Sequence, residues 1–172
     1  MREPDTKKAS VLVIGDVMLD RYWFGDASRL SPEAPVPVVL FKAERASAGG
    51  AANVARNCAA LGAKTRLFSV VGDDAEGAAL KKILEQDGVV VNFHRDKSIR
   101  TTQKLRVIGR RQQQLLRIDF ETSPSKEVLK AKLEDFKASL PASNAVILSD
   151  YGKGGLTHIR RMILWAREAG KK

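Results

Sequence analysis

Short apolar runs that stop on a glycine and an acidic residue, then give way to helix-period segments, set the tightest limit on how this chain can fold. Val11-Leu12-Val13-Ile14 runs into Gly15-Asp16, and Arg66 to Val71 runs into Gly72-Asp73-Asp74. Runs this short and this apolar read as strands covered on both faces, and helices between them imply parallel pairing. The pattern predicts strands over 11–14, 66–71, 89–93 and 145–148, with helices over 51–61, 74–86 and 157–168. Gly62, Gly88 and Gly170 stand where those helices stop. Ser123-Pro124 has the form of an N-cap followed by proline at the first helical position, and Leu129, Leu133, Phe136 and Leu140 then repeat at helical spacing. The expectation is an α/β fold built on a mostly parallel sheet.

Two segments leave that rhythm. Pro35 to Phe41 is rich in β-branched residues, and its prolines restrict it to an edge or a turn-proximal position. Thr101 to Phe120 has the form of a hairpin around Gly109-Arg110-Arg111. On its first strand Thr102, Lys104 and Arg106 share one face and Gln103, Leu105 and Val107 the other. The charged face either meets an anion or is a solvated edge that discourages aggregation.

The chain has 172 residues, 44% of them hydrophobic, which is enough for one cored domain. Its longest apolar runs are far too short for a bilayer, and Met1-Arg2-Glu3-Pro4-Asp5 lacks the apolar core of a secretion leader, so a cytoplasmic protein is expected. Cys58 is the only cysteine and falls among Ala55, Ala59 and Leu61, a core-packing position. His94 and His158 lack the spacing of a metal or catalytic pair, and no metal site is expected. The net charge of +10 is concentrated between Arg95 and Arg117, where eight basic residues face one acid. Nucleic-acid binding calls for aromatic residues interleaved with such charge, and none occurs between His94 and Phe120. A smaller anion such as a sugar phosphate fits the same cations. Arg110 and Arg111, at the hairpin tip, are expected to be solvated.

Three polar, glycine-marked strand ends point to one site: Gly15-Asp16, Gly49-Gly50 and Gly72-Asp73-Asp74. Gly49 and Gly50 allow the main chain to approach a small polar ligand, and Asn53 both donates and accepts hydrogen bonds. Asp16 is either a hydroxyl clamp or a turn cap. Asn53 has the alternative of capping the helix that follows.

The blocks Gly49-Gly50-Ala51-Ala52-Asn53-Val54-Ala55, Leu61-Gly62-Ala63 and Val71-Gly72-Asp73-Asp74 resemble the first signature region of the ribokinase-like carbohydrate kinases. Gly15-Asp16-Val17-Met18-Leu19-Asp20, Ser31-Pro32-Glu33-Ala34-Pro35-Val36-Pro37-Val38, Thr102-Gln103-Lys104-Leu105-Arg106 and Leu148-Ser149-Asp150-Tyr151-Gly152-Lys153-Gly154 are similar to the members that act on D-glycero-β-D-manno-heptose 7-phosphate. The resemblance runs from Val11 to Gly170. It implies a three-layer sandwich with a small β lid, formed here by segments of about 35–47 and 100–120. The activity it implies is ATP-dependent phosphorylation of the anomeric hydroxyl, giving the 1,7-bisphosphate for lipopolysaccharide core synthesis. A related kinase for another sugar or sugar phosphate, or a non-catalytic lid or dimerisation fragment, is the alternative.

The resemblance also assigns roles. Asp20 aligns with the family's sugar-binding aspartate, with Asp16, Gly49, Gly50 and Asn53 around it. Lys104, Arg106 and Lys153 are the candidate partners of the 7-phosphate, because charge-assisted bonds to phosphate are strong and orienting. Asp150 is either a sugar or metal-linked contact or a loop cap. ATP and Mg2+ are implied as cofactors, and a homodimer clasped through the lid as partner, with Leu105 and Val107 offering its apolar face. The family's Gly-Ala-Gly-Asp block, which supplies the catalytic base and phosphate cradle, has no match between Met1 and Lys172. No catalytic residue is therefore expected within the chain, which is read as the N-terminal part of a kinase truncated at its C-terminal half.

Overall fold

In the computed structural model residues 6–172 are described; residues 1–5, read above for a leader, lie outside them. In chain order these form β1 (Ser10–Gly15), β2 (Val17–Leu30), β3 (Pro37–Gly50), α1 (Ala51–Ala60), β4 (Lys64–Gly72), α2 (Ala75–Gln86), β5 (Val90–Asp96) and β6 (Gln103–Ile108). They continue through β7 (Gln114–Phe120), α3 (Lys126–Ser139), β8 (Ala145–Ser149) and α4 (Ile159–Glu168). The main sheet has the order β5-β4-β1-β8 with every pair parallel.

Alternation along β1 divides the core in two. Val13 packs with Ala51, Ala52 and Ala55 of α1 and with Leu80 and Leu84 of α2. Leu12 and Ile14 point the other way, against Leu133 and Phe136 of α3 and Met162 of α4. All three β1 side chains are fully buried, each worth about 1.5–3 kcal/mol of apolar transfer. The helices thus cover both faces, and the expected three-layer sandwich is what forms.

The lid is a second sheet of order β3-β2-β6-β7. β2 pairs antiparallel with β3 and parallel with β6, and β6 pairs antiparallel with β7. It is larger than the two segments predicted from sequence. β2, 14 residues long, was not legible because Asp20, Arg21, Asp26 and Arg29 break its apolar signal, while its lid partners β3 and β6 complete its ladder on both sides. β3 likewise continues past Phe41 to Gly50.

Two helix starts also differ from expectation. The N-cap of α3 is Ser125, whose Oγ accepts from the Val128 amide at 3.5 Å, and not Ser123. Asp96 at the end of β5 takes the Ser125 amide at 2.7 Å, which anchors the cap two residues later. α4 begins at Ile159, because Thr157 is held in the preceding turn by donating its hydroxyl to the Gly154 carbonyl at 2.8 Å. Leu105 and Val107 lie on the lid's apolar face in register with Ile118 and Leu116; both are largely covered within the subunit, and Val107 lines an apolar groove there.

Candidate functional site

Asp16 is the single residue between β1 and β2, and three parts of the fold meet on it. Its amide donates to the Ser149 carbonyl at the end of β8, and its carbonyl accepts from Ala51 at the start of α1, at 3.1 and 2.9 Å. The buried carboxylate accepts from the amides of Tyr151, Lys153 and Gly155 at 3.0, 3.0 and 2.9 Å. Of the two readings of Asp16, the turn cap is the one the geometry takes up. A carboxylate holding that many main-chain donors organises the loop after β8.

Lys132 of α3 completes the clamp from below. Its side chain is fully buried, and its ammonium donates to the Gly155 carbonyl. Burial pushes its pKa down to about 8, and the Asp16 carboxylate pulls the other way. The sequence reading missed Lys132, although a signal was present: it falls on the inward stripe of α3 beside Leu129, Leu133 and Phe136.

The glycines serve this close packing. Gly50 has φ +59°, and a Cβ on it would collide with the Asp16 carbonyl. A Cβ on Gly49 would strike the Asp20 carboxylate. Their first role is therefore to let β3 turn into α1 against Asp16 and Asp20. Asn53, in the first turn of α1, is exposed. The N-cap position is Gly50, with no side-chain cap, so Asn53 does not cap the helix, and its amide has no hydrogen-bond partner among the described residues.

Strand register builds one polar face on the lid. Ser47, Asp20, Lys104 and Asp119 lie in one row across the four strands, and Arg45, Tyr22, Arg106 and Arg117 in the next. Arg106 Nη1 lies 2.7 Å from Asp20 Oδ1. The ion pair and hydrogen bond to Asp20 raise the pKa of Arg106 against its partial desolvation. Lys104 Nζ sits 3.2 Å from Asp119 and 3.7 Å from Glu121, and Lys153 Nζ reaches the same Glu121 at 2.6 Å. Lid and loop are thereby joined through Glu121, a residue not singled out from sequence. A pocket of about 250 Å3 at this junction is lined by Glu121, Thr122, Ser123, Gly152 and Lys153. The structure thus brings Asp20, Lys104, Arg106 and Lys153 together. Asp150 is exposed and accepts from the Gly152 amide at 2.8 Å, the geometry of a loop cap.

The third glycine-marked strand end does not join this group. Asp74 caps α2 through the Gly77 amide at 2.8 Å and takes the Thr101 amide and hydroxyl at 2.7 and 2.6 Å. Partial burial opposes its ionisation, but those bonds prevail and lower its pKa. Gly72-Asp73-Asp74 is a fastening for the start of β6. The basic stretch is similarly occupied: Arg95 pairs with Asp73, Arg110 with Asp26 and Arg117 with Asp119, at 2.8, 2.5 and 3.0 Å. Arg110, expected to be solvated, is exposed yet tied to β2. Burial raises the Cys58 thiol, and His94 contacts Asp135 at 3.2 Å. Among the described residues no cluster of three or more metal-ligating side chains occurs, and no helix is long and apolar enough to cross a membrane.

A family model for the pfkB family carbohydrate kinases matches residues 8–153. The chain is 49% identical over 164 residues to the bifunctional protein HldE of Coxiella burnetii, an alignment covering 95% of this chain and 34% of that one. It is 51% identical over 166 residues to the HldE of Chromohalobacter salexigens, covering 96% and 35%. The chain thus spans about a third of the length of these curated relatives. Among solved structures, a carbohydrate kinase from Agrobacterium tumefaciens shares the fold with a TM-score of 0.72 at 20% identity, covering 95% of this chain and 52% of that one. Phosphofructokinase-2 from Escherichia coli in complex with fructose-6-phosphate does so with a TM-score of 0.67 at 18% identity, covering 95% and 53%.

The buried ammonium has a consequence for stability. Lys132 titrates at about 8 in the fold and at the ordinary 10.5 when unfolded, so between those values the unfolded chain binds more protons. This group therefore makes unfolding free energy rise with pH from about 8 to 10.5. In urea titrations at pH 7.5, 9 and 10, Lys132→Met is expected to lose that rise; parallel pH profiles would contradict the assignment.

Proposed function

The chain belongs to the pfkB family of carbohydrate kinases, and from that premise we propose that it holds the acceptor sugar of an ATP-dependent kinase for D-glycero-β-D-manno-heptose 7-phosphate. The observation that carries this reading is the lid's polar face, where the Asp20 carboxylate and a set of cations open toward the loop after β8. A carboxylate accepts from sugar hydroxyls, and Arg106 holds Asp20 in place while it does so. Asn53 offers an unengaged donor and acceptor to the same ring. Lys104 and Lys153 share Glu121 in the free protein, and the 7-phosphate replaces that carboxylate when it binds.

Family membership implies ATP and Mg2+. The described residues offer no cluster that fits the ion, so the residues of this chain bind and orient the acceptor, and no step is assigned to them through the metal. In the overall transfer the anomeric oxygen bonds to the terminal phosphorus, ADP leaves with the electrons of the broken bond, and the hydroxyl proton passes to a base. That base is not assigned to any residue of this chain, which by itself is inactive on this reading. The product feeds lipopolysaccharide core synthesis in the cytoplasm, where ATP is available.

The proposal extends to the partner. A groove of about 510 Å3 on the lid is lined by apolar side chains including Trp23, Val36, Phe41, Leu116 and Ile118. A monomer surface this apolar is a partner site, and the occupant proposed is the lid of a second copy, which buries the same patch on both subunits at once. Nucleic acid is not favoured, because Arg95, Lys104, Arg106, Arg110 and Arg117 of the basic stretch are already paired.

Two measurements test this. In calorimetry the chain is expected to bind heptose 7-phosphate in preference to fructose 6-phosphate without hydrolysing ATP, and Asp20→Ala to weaken binding by about tenfold or more. Preference for fructose 6-phosphate, or unchanged affinity in the variant, would contradict the reading. In sedimentation the chain is expected to run as a dimer and Phe41→Asp as a monomer; a monomeric parent chain would refute the lid contact.

A further inference from the structure

Every cation assigned above to the phosphate is already neutralised in the free protein. Arg106 holds Asp20, Lys104 holds Asp119 and Glu121, and Lys153 holds Glu121. Arg117, in the same face, holds Asp119. Arg45 differs. It lies opposite Tyr22 in the β2/β3 register, on the polar face, and has no carboxylate partner among the described residues. Its guanidinium carbon instead sits 5.1 Å from the centre of the Tyr22 ring and 5.9 Å from that of Phe24. Those rings are stacked with an interplanar angle of 17°, and Arg106 approaches Tyr22 at 5.2 Å. Cation–π contact fixes where the Arg45 fork lies while leaving its five N–H donors unused.

Charge across the face points the same way. Lys104, Arg106, Arg117, Lys153 and Arg45 stand against Asp20, Asp119 and Glu121, an excess of two positive charges. A phosphate monoester near neutral pH carries close to two negative charges. Position fits as well. Asp20 pairs with Ser47, so Arg45 is its diagonal neighbour on β3, the two backbone positions lying on the order of 7–8 Å apart. A sugar hydroxyl on Asp20 therefore leaves a phosphate on the sugar's exocyclic arm within reach of a guanidinium fork.

We infer that Arg45, shelved on Tyr22, is a specificity-determining residue that reads the phosphate of the acceptor and so separates sugar phosphates from free sugars. The inference rests on the acceptor-binding role of the lid face but not on which sugar phosphate is bound. Arg45 is a positioning and recognition group, not a catalytic one. It adds a bidentate donor pair where the paired cations must first give up their own carboxylates.

The test is calorimetry on the 172-residue chain and its Arg45→Gln and Arg45→Lys variants, with heptose 7-phosphate, fructose 6-phosphate and unphosphorylated heptose as probes. Arg45 is exposed, so neither variant is expected to disturb the core, and matching circular dichroism spectra are the check on equal folding. Arg45→Gln is expected to lose about tenfold or more in affinity for the preferred sugar phosphate, with unphosphorylated heptose unaffected and Arg45→Lys recovering part of the loss. Equal affinity of parent and Arg45→Gln for that phosphate, or an equal loss for the free sugar, would overturn the assignment while leaving the acceptor reading intact. Fructose 6-phosphate as the preferred ligand, with the same loss in Arg45→Gln, would overturn the heptose reading and support Arg45. Absence of binding to either phosphate by the parent chain would contradict both.

Discussion

The carboxylate of Asp16 is the contact on which the rest of the site depends. A single residue separates the central strand of the main sheet from the first strand of the lid, and that residue also caps the loop after β8. Two layers and a loop from distant parts of the sequence are thereby referred to one pair of oxygens. The cost of burying that charge is offset by three main-chain donors and by Lys132 nearby, itself tied to the Gly155 carbonyl. Burying both charges without those bonds would be prohibitive, which is why the loop adopts one geometry.

From that fixed base the lid gains its polar face through register. β2 emerges one residue after β1, so its pairing with β3 and β6 sets which side chains share a face. Asp20, Lys104 and Asp119 align without any loop having to place them, and Glu121 then reaches the Lys153 that the Asp16 clamp holds. Electrostatics on this face is a set of occupied pairs with a small positive surplus. On the proposed reading an anionic sugar enters by exchanging partners with these pairs, while the other side of the same sheet carries an apolar groove.

Much of this was legible in sequence, for identifiable reasons. Val11 to Ile14 and Ala145 to Leu148 are apolar on both faces because helices cover both, and such strands announce themselves. Gly49-Gly50 and Asp20 were visible through the family resemblance. β2 was hidden because it carries charge on both faces, Asp20 on one and Arg21 on the other, which masked the strand they belong to. Asp16 was legible as a polar strand end that either clamps a hydroxyl or caps a turn, but the loop it caps was not, since its partners lie more than 130 residues away in the chain. Lys132 is the reverse case: helical period places it inward beside Leu129, Leu133 and Phe136, but its charge set it apart from the apolar stripe. Glu121 is placed by ion pairs to Lys104 and Lys153, and Arg45 by its register opposite Tyr22; one sequence displays neither.

The most direct test of the clamp is amide hydrogen exchange at Tyr151, Lys153 and Gly155, read by NMR in the parent chain and in Asp16→Asn. Those three amides are predicted to exchange slowly in the parent and far faster in the variant, where an amide NH2 replaces a carboxylate oxygen, while β4 and β5 stay protected. Fast exchange at these amides in the parent chain, or unchanged protection in Asp16→Asn, would contradict the account.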